Sequence, residues 1–290
     1  VFLDKPLGMG STQAVSMVRR AFSAQKAGHA GTLDPLATGL LAIALGEATK
    51  TVPYMTDAMK TYTFTVCWGE ATETCDAEGE VSATCSKRPA PRDITDVLPE
   101  FTGSIEQTPP LYSAIKIDGQ RAYDLARAGE QVDMVKRPVQ IECLKLTGCP
   151  DEDHASFEVS CGKGTYVRSL ARDIAIALGT RGHVSALRRI ATGDVSIDRC
   201  VAAAVIDAAD ADELAELLHP LETVLSHLPA FELDENAASK VSHGNPIEGS
   251  AFEQLSGTDE LLLTRSGAPL AIARFSDGII KPARVFQLHD

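Results

Sequence analysis

Asp34 stands in the string Gly31-Thr32-Leu33-Asp34-Pro35, where the proline stiffens the chain and a carboxylate is held in a rigid turn. A carboxylate so held suits nucleophilic or acid–base work. The same Asp-Pro pair is also a favoured helix start, with Asp as N-cap and Pro as the first helical residue; taken alone, that structural reading is the stronger. His29, five residues earlier, reads by itself as an ordinary loop histidine. Three other apparent motifs fall away. Gly8-Met9-Gly10 lacks the third glycine of a dinucleotide-binding turn, Gly162-Lys163-Gly164-Thr165 lacks the upstream spacing of a P-loop, and no His-Glu-x-x-His occurs. The seven cysteines are odd in number and form no Cys-x-x-Cys, which fits reduced thiols rather than disulfides or zinc. No cofactor and no metal are expected.

The elements that must position these residues mix helix and strand signals. Ser11 is placed to cap a helix carrying Ala14, Val15, Val18 and Phe22 at helical spacing. Residues 36–46 read in their second half as a buried strand. Residues 61–68 alternate, putting Tyr62, Phe64, Val66 and Trp68 on one face, so that Tyr62 taken alone is a core aromatic. A short helix with Ile94, Val97, Leu98 and Phe101 follows, then a hairpin signal at Asp118-Gly119 and a helix over 121–128 stopped by Gly129. Residues 137–149 and 155–161 read as strands. The segment Gly162-Lys163-Gly164-Thr165 opens a helix with Val167, Leu170, Ala171, Ile174 and Leu178 on one stripe, ended by Gly179.

Residues 202–225 read as one Ala-, Asp- and Leu-rich helix, and Pro229 marks a boundary. Beyond it, strand-like runs at 261–264, 270–275 and 285–288 are punctuated by Gly- and Pro-containing turns, the rhythm of a small β-rich domain. Strict βαβ repetition is absent, so the expectation is α+β: a catalytic domain over 1–228 with a mixed central sheet and flanking helices, and a second domain over 229–290.

The 290 residues are 44% hydrophobic and 23% charged, which excludes disorder, collagen and a disulfide miniprotein. The longest apolar stretch, around residues 40–45, is far short of a bilayer span, and Val1-Phe2-Leu3-Asp4-Lys5 has no signal-like apolar region. A cytoplasmic protein without membrane attachment is expected. The net charge of −13 would argue against a polyanionic partner, but it is unevenly distributed. Residues 201–290 hold 5 Lys+Arg against 15 Asp+Glu, whereas the segment 163–189 holds Lys163, Arg168, Arg172, Arg181, Arg188 and Arg189 against Asp173 alone. That segment is a candidate basic surface for nucleic acid, with Arg19, Arg20 and Lys50 as additions.

Longer strings settle the weighing. Gly28-His29-Ala30-Gly31-Thr32-Leu33-Asp34-Pro35-Leu36-Ala37-Thr38-Gly39-Leu40-Leu41 with Gly46-Glu47-Ala48-Thr49-Lys50 resembles the catalytic segment of the TruB-type tRNA pseudouridine synthases. Lys5-Pro6-Leu7-Gly8, Pro109-Pro110-Leu111-Tyr112-Ser113-Ala114-Ile115-Lys116, Gly119 with Tyr123-Asp124-Leu125-Ala126-Arg127, Gly164-Thr165-Tyr166-Val167-Arg168-Ser169-Leu170 and Leu187-Arg188-Arg189 follow in that family's order. Gly10 departs from it, standing where the family has Thr or Ser before Ser11. The tail from about Pro229, with His243-Gly244-Asn245-Pro246-Ile247 and Lys281-Pro282-Ala283-Arg284-Val285-Phe286, is similar to a PUA-like RNA-binding module, although it is acidic.

The resemblance implies isomerisation of the T-loop uridine at tRNA position 55: the C1′–N1 bond breaks, the base rotates, and it rejoins through C5. Asp34 matches the nucleophile, which attacks either C1′ or C6. Tyr62 matches the active-site tyrosine that lies against the flipped base and assists proton removal from C5. Arg168 matches the arginine that orients the aspartate. Tyr166 and Leu187 match pocket residues, His29 the residue inserted near the vacated base position, and Lys5 a lysine near the site whose blander reading is a phosphate contact or surface salt bridge. Arg188 and Arg189 would contact phosphates, which position rather than specify. The T-arm is the expected partner, bound by a monomer without guide RNA. Competing readings are a non-catalytic RNA binder in which Asp34 is structural, a ribosyl hydrolase, which would call for two carboxylates across the bond, and the same isomerisation guided by RNA.

Overall fold

The computed structural model describes residues 1–113, 115–117, 119–128, 132–248 and 260–288; the turn signals at Asp118 and Gly129 lie outside them. A ten-stranded mixed sheet forms the body. Its main path runs Val201–Ala202, Phe2–Lys5, Ala37–Leu45, Gly182–Thr192, Lys60–Trp68, His154–Cys161, Arg137–Gly148 and Gly103–Gln107. Ala27–His29 and Val195–Ser196 pair at the side of this path. Gly182–Thr192 is central, parallel to Ala37–Leu45 and antiparallel to Lys60–Trp68.

Pleating sorts the side chains onto two cores. Leu3, Leu41, Ile43, Phe64, Val66 and Trp68 pack with Ala14, Met17 and Val18 of the helix Ser11–Ala21 and with Leu170, Ala171 and Ile174 of Val167–Ala177. The alternate residues Phe2, Leu40 and Ala42 pack on the other side with Ala30, Met55 and Val195. Ala37–Leu45 is thus buried on both faces, which is why its sequence is continuously apolar rather than alternating.

The expected α+β architecture is found, with five differences. Ser11 is the first residue of the helix Ser11–Ala21 rather than its cap; Gly10 stands at the N-cap, and no side chain caps it. Pro35 starts no helix; Ala37 N donates to the Asp34 carbonyl at 3.0 Å and the chain turns directly into a strand, so Asp34 is not an N-cap. The span 202–225 is three short helices, Ala203–Ala208, Ala211–Glu216 and Glu222–Leu225, because Asp210 and Glu213 form a capping box that restarts the helix and Pro220 interrupts it again. The last strand is Ile279–Val285, not 285–288. The strand Gly182–Thr192 had no clear sequence signal: register shifts at Val184/Ala186 and Arg189/Ala191 break its period of two.

The C-terminal part is β-rich. A separate five-stranded sheet runs Ala230–Glu232, Glu260–Arg265, Ala268–Ser276, Ile279–Val285, Ile247–Glu248, with the helix Glu235–Ser242 closing a core of Leu233, Val241, Leu261, Leu263, Ala273 and Ile280. It rests on the body through the cluster Leu225, Leu262, Ile272 and Phe286 and through polar ties: Tyr54 OH donates to Glu260 at 2.8 Å, and Lys50 Nζ to the Val285 carbonyl at 2.7 Å. Among the described residues no helix is long and apolar enough to cross a membrane.

Candidate active site

A cavity of about 260 Å³ opens where the loop 31–34, the strand Lys60–Trp68, the central strand Gly182–Thr192 and the start of helix Val167–Ala177 converge. It collects Asp34, Tyr62, Tyr166, Arg168, Leu187 and Arg189, together with Lys60 and Thr56. A roomier apolar cavity of about 380 Å³ on the other side of the body has no carboxylate in its lining and offers none of this chemistry.

The N-terminal segment holds the Asp34 loop in place. Ser11 Oγ accepts from Leu33 N at 2.8 Å and donates to the Leu33 carbonyl at 2.7 Å, gripping both backbone polar groups of the residue before Asp34. Lys5 is fully buried; its Nζ donates to the carbonyls of Met9 (2.6 Å), Pro6 (3.0 Å) and Pro35 (3.4 Å), and burial pushes its ammonium down to about 8. Lys5 is therefore neither a phosphate contact nor a surface salt bridge; it ties the loop from below. Gly10 has nothing within 4 Å of where a Cβ would stand, so the unusual glycine there leaves this clamp intact.

So clamped, Asp34 presents a carboxylate that is 39% exposed and 2.8 Å from Arg168 NH2. Arg168 itself is nearly buried, its two terminal nitrogens donating to the carbonyls of Tyr112 (3.0 Å) and Thr74 (2.9 Å). Behind it lies Asp76, 2% exposed, with a carboxylate oxygen 3.4 Å from the guanidinium. Asp76 is further held by Thr74 Oγ1 and by Glu78 N at 3.1 Å. One guanidinium is thus bracketed by two carboxylates, one facing the cavity and one sealed in the protein. This is not the hydrolase pattern, in which two carboxylates face each other across the scissile bond. Sequence reading missed Asp76, since Glu70 to Glu80 looks like acidic turn material; the only local signal is the Thr74-x-Asp76 spacing of a side-chain-stabilised turn.

The opposite wall is aromatic and cationic. Tyr62 is half-buried, and burial pushes its phenol up while the adjacent Arg189 guanidinium pulls the other way. Residues 62 and 189 are direct partners across the two strands, as are Phe64 and Leu187. Lys60 shares the Tyr62 face, two residues back; it is 6% exposed, donates to the Thr56 and Ala58 carbonyls, and burial lowers its ammonium to about 8. Tyr166 completes the enclosure. Its backbone is gripped by the Gln107 amide through two hydrogen bonds of 2.8 and 3.1 Å, and burial raises its phenol.

His29 is not among the cavity-lining residues; it ends the edge strand Ala27–His29. Its Nδ1 is buried without a hydrogen-bond partner, and burial together with the charge of Arg189 lowers the imidazole, which favours the neutral ring.

The expected basic surface over 163–189 is largely dissolved by the fold. Arg168 and Arg189 point inward, Arg172 pairs with Asp173 and the Thr108 carbonyl, and Arg188 forms two bonds of 2.8 and 2.9 Å with Asp4. Arg189, 1% exposed, is no phosphate contact. Lys50 is likewise spent on Glu47 and Val285. What remains exposed is Lys163, beside Asp57 at 3.0 Å, and Arg181, with Arg19 and Arg20 on the N-terminal helix. Among the described residues no group of His, Cys, Asp and Glu could hold a metal ion.

Residues 19–167 match the family model described as TruB family pseudouridylate synthase (N terminal domain), and residues 168–226 the one described as tRNA pseudouridylate synthase B C-terminal domain. Similar proteins include the tRNA pseudouridine synthase B of Bradyrhizobium diazoefficiens, 51% identical over 99% of this chain and 85% of that protein. That of a Ruegeria species is 50% identical over 98% of this chain and 94% of its own. Among solved structures, a chain of an H/ACA RNP bound to a substrate RNA containing 2′-deoxyuridine superposes with a TM-score of 0.74 at 22% identity, covering 100% of this chain and 85% of that one. A chain of a Cbf5–Nop10–Gar1 complex gives 0.74 at 24%, covering 99% and 83%. At that identity these two likenesses speak for the fold alone.

Proposed function

The chain belongs to the TruB family of pseudouridylate synthases, and from that premise we propose that it isomerises the T-loop uridine at position 55 of tRNA, with Asp34 as nucleophile. The observation that carries the reading is the 2.8 Å ion pair that aims an accessible Asp34 carboxylate into a cavity faced by Tyr62. Arg168, itself fixed by its two backbone carbonyl partners, holds one oxygen of the Asp34 carboxylate, leaving the other free to form a covalent bond with C1′ or C6 and so divide one difficult step into two.

Taking the uridine out of its loop costs a few kcal/mol, offset by stacking on Tyr62 and contacts in the cavity. Leu187 and Tyr166 exclude water that would hydrolyse the intermediate. His29, neutral and with a free Nδ1, suits the space the base vacates. Tyr62 receives the C5 proton. The reaction is redox-neutral and needs neither cofactor nor metal. Residues 1–228 form the catalytic unit and 229–290 a PUA-like RNA-binding unit whose sequence acidity limits its contribution; the protein acts as a monomer without guide RNA.

The test is to incubate the purified chain, without metal or cofactor, with an unmodified tRNA transcript and to map pseudouridine at nucleotide resolution. Pseudouridine at position 55, absent with Asp34→Asn, is the expected result. Binding without modification by both proteins would replace the enzyme reading with that of an RNA binder, and free uracil would point to hydrolysis. Modification that appears only with an added guide RNA would overturn the bare-tRNA reading.

A further inference from the structure

Arg189 is a buried charge that the reaction so far leaves without a task. Its Nε donates to the Leu40 carbonyl at 2.6 Å and NH2 to the Gly31 carbonyl at 3.2 Å. Among the described residues it forms no ion pair with a carboxylate, and neither does Lys60. The backbone makes specific room for it. Gly31 has φ +84°, and a Cβ there would stand 3.3 Å from Arg189 NH1.

A guanidinium buried against neutral carbonyls is costly at rest, and it is placed to stabilise negative charge that develops beside it during a reaction. The neighbour that can supply that charge is Tyr62, the direct partner of Arg189 across the two strands and a wall of the same cavity, whose phenol the guanidinium charge reaches. The other groups around Tyr62 do not compete. Cys161, from the strand on the far side, is pushed up to about 11 by burial and stays a neutral thiol; Asp34 is held by Arg168; Lys60, on Tyr62's own strand, is pushed down to about 8 by burial and loses its charge within the assayed pH range in every variant, so the role of Arg189 is read from the differences between variants.

We propose that Arg189 is a positioning residue for Tyr62, holding the phenolate that takes the C5 proton. The inference rests on the reading of Tyr62 given above. In this step the C5–H bond breaks and an O–H bond forms on the phenolate; the freed electron pair restores the C5–C6 double bond as either the C6–N1 double bond opens onto N1 or the C6–Asp34 bond breaks, according to which adduct precedes it. N1 gains one proton, so the product keeps the formula of uridine, and loss of the phenol proton regenerates the starting state. A fixed positive charge at the oxygen favours its ionised form, opposing the burial that disfavours it.

The experiment is single-turnover pseudouridine formation on an unmodified T-arm stem-loop transcript, over about pH 6 to 9, with the wild type, Tyr62→Phe, Arg189→Gln, the double variant and Arg189→Lys. Tyr62→Phe should lose about 10²- to 10⁴-fold. Arg189→Gln should lose about 10- to 100-fold near neutral pH, less at high pH, where the phenolate forms without help. In the Tyr62→Phe background the same change should cost less than about twofold, because it acts through the missing hydroxyl. Arg189→Lys should restore most of the rate with its pH limb moved upward, and it covers the case in which Arg189→Gln does not fold. Losses that multiply in the double variant, or an unmoved pH limb in Arg189→Lys, would overturn the inference. Full activity of Tyr62→Phe alone would instead remove the reading of Tyr62 on which it stands.

Discussion

On one wall of the cavity every charge has a partner: Asp34 and Asp76 bracket Arg168, and backbone carbonyls take its remaining donors. On the other wall, Arg189 and Lys60 meet only carbonyls and a phenol. The first arrangement fixes a carboxylate in one orientation before any substrate arrives. The second, on the reading proposed above, keeps positive charge where negative charge arises only during the reaction. The difference teaches that burial of a charge has two uses in the same site, one satisfied at rest and one satisfied in passing.

The contrast can be broken most severely at the carboxylate proposed to react. Asp34→Asn should lower pseudouridine formation by about 10³-fold or more, yet leave the thermal unfolding midpoint within about a degree or two, since the side chain is partly exposed. A large drop in stability would mean that Asp34 is structural after all. Next is Gly39→Ala, which puts a Cβ against the Arg189 carbonyl in a backbone conformation that favours glycine. We expect a loss of about 3 kcal/mol in denaturant unfolding, and a wild-type curve would show that the central strands can shift freely.

Asp76→Asn removes the sealed carboxylate from a nearly buried guanidinium. It should cost about 2 to 3 kcal/mol of stability and slow catalysis by turning Arg168, with RNA affinity unchanged. An unaffected rate would show that Arg168 is held by its carbonyl partners alone.

The smallest effect is a pH dependence on the unpaired wall. Lys60 is lowered from its ordinary 10.5 to about 8 by burial, with Arg189 adding to the effect. Between those values the unfolded chain binds more protons at this position than the folded one, so stability from this residue rises with pH from about 8 to 10.5. The wild type should therefore gain on Lys60→Met across that window when both are titrated in urea. A constant difference would place the ammonium in solvent.

Most of the proposed catalytic set was legible because it lies in local strings. Asp34, Arg168, Tyr166 and Leu187 each sit in a short motif, and the alternation of 61–68 revealed the strand that presents Tyr62. Asp76 was not legible, because its importance comes from a guanidinium 92 positions away in the chain that reaches it only after folding. The basic run over 163–189 misled for a related reason: composition counts charges, whereas the pleat of Gly182–Thr192 turns Arg189 inward and leaves Arg188 to Asp4. In the same way, the helix expected over 202–225 is broken because a capping box outranks a run of good helix formers.

What the sequence by itself determined was the family, the α+β class and the turn that carries the proposed nucleophile, since periodicity, turn residues and contiguous motifs are properties of neighbours along the chain. Only the tertiary structure decided which charges are paired, which are buried without a partner, and which face solvent. Those properties depend on residues such as 34, 76, 168 and 189 meeting across a sheet whose order is not the order of the chain. Local sequence carries no term for that meeting, and it is there that the electrostatics of the site is set.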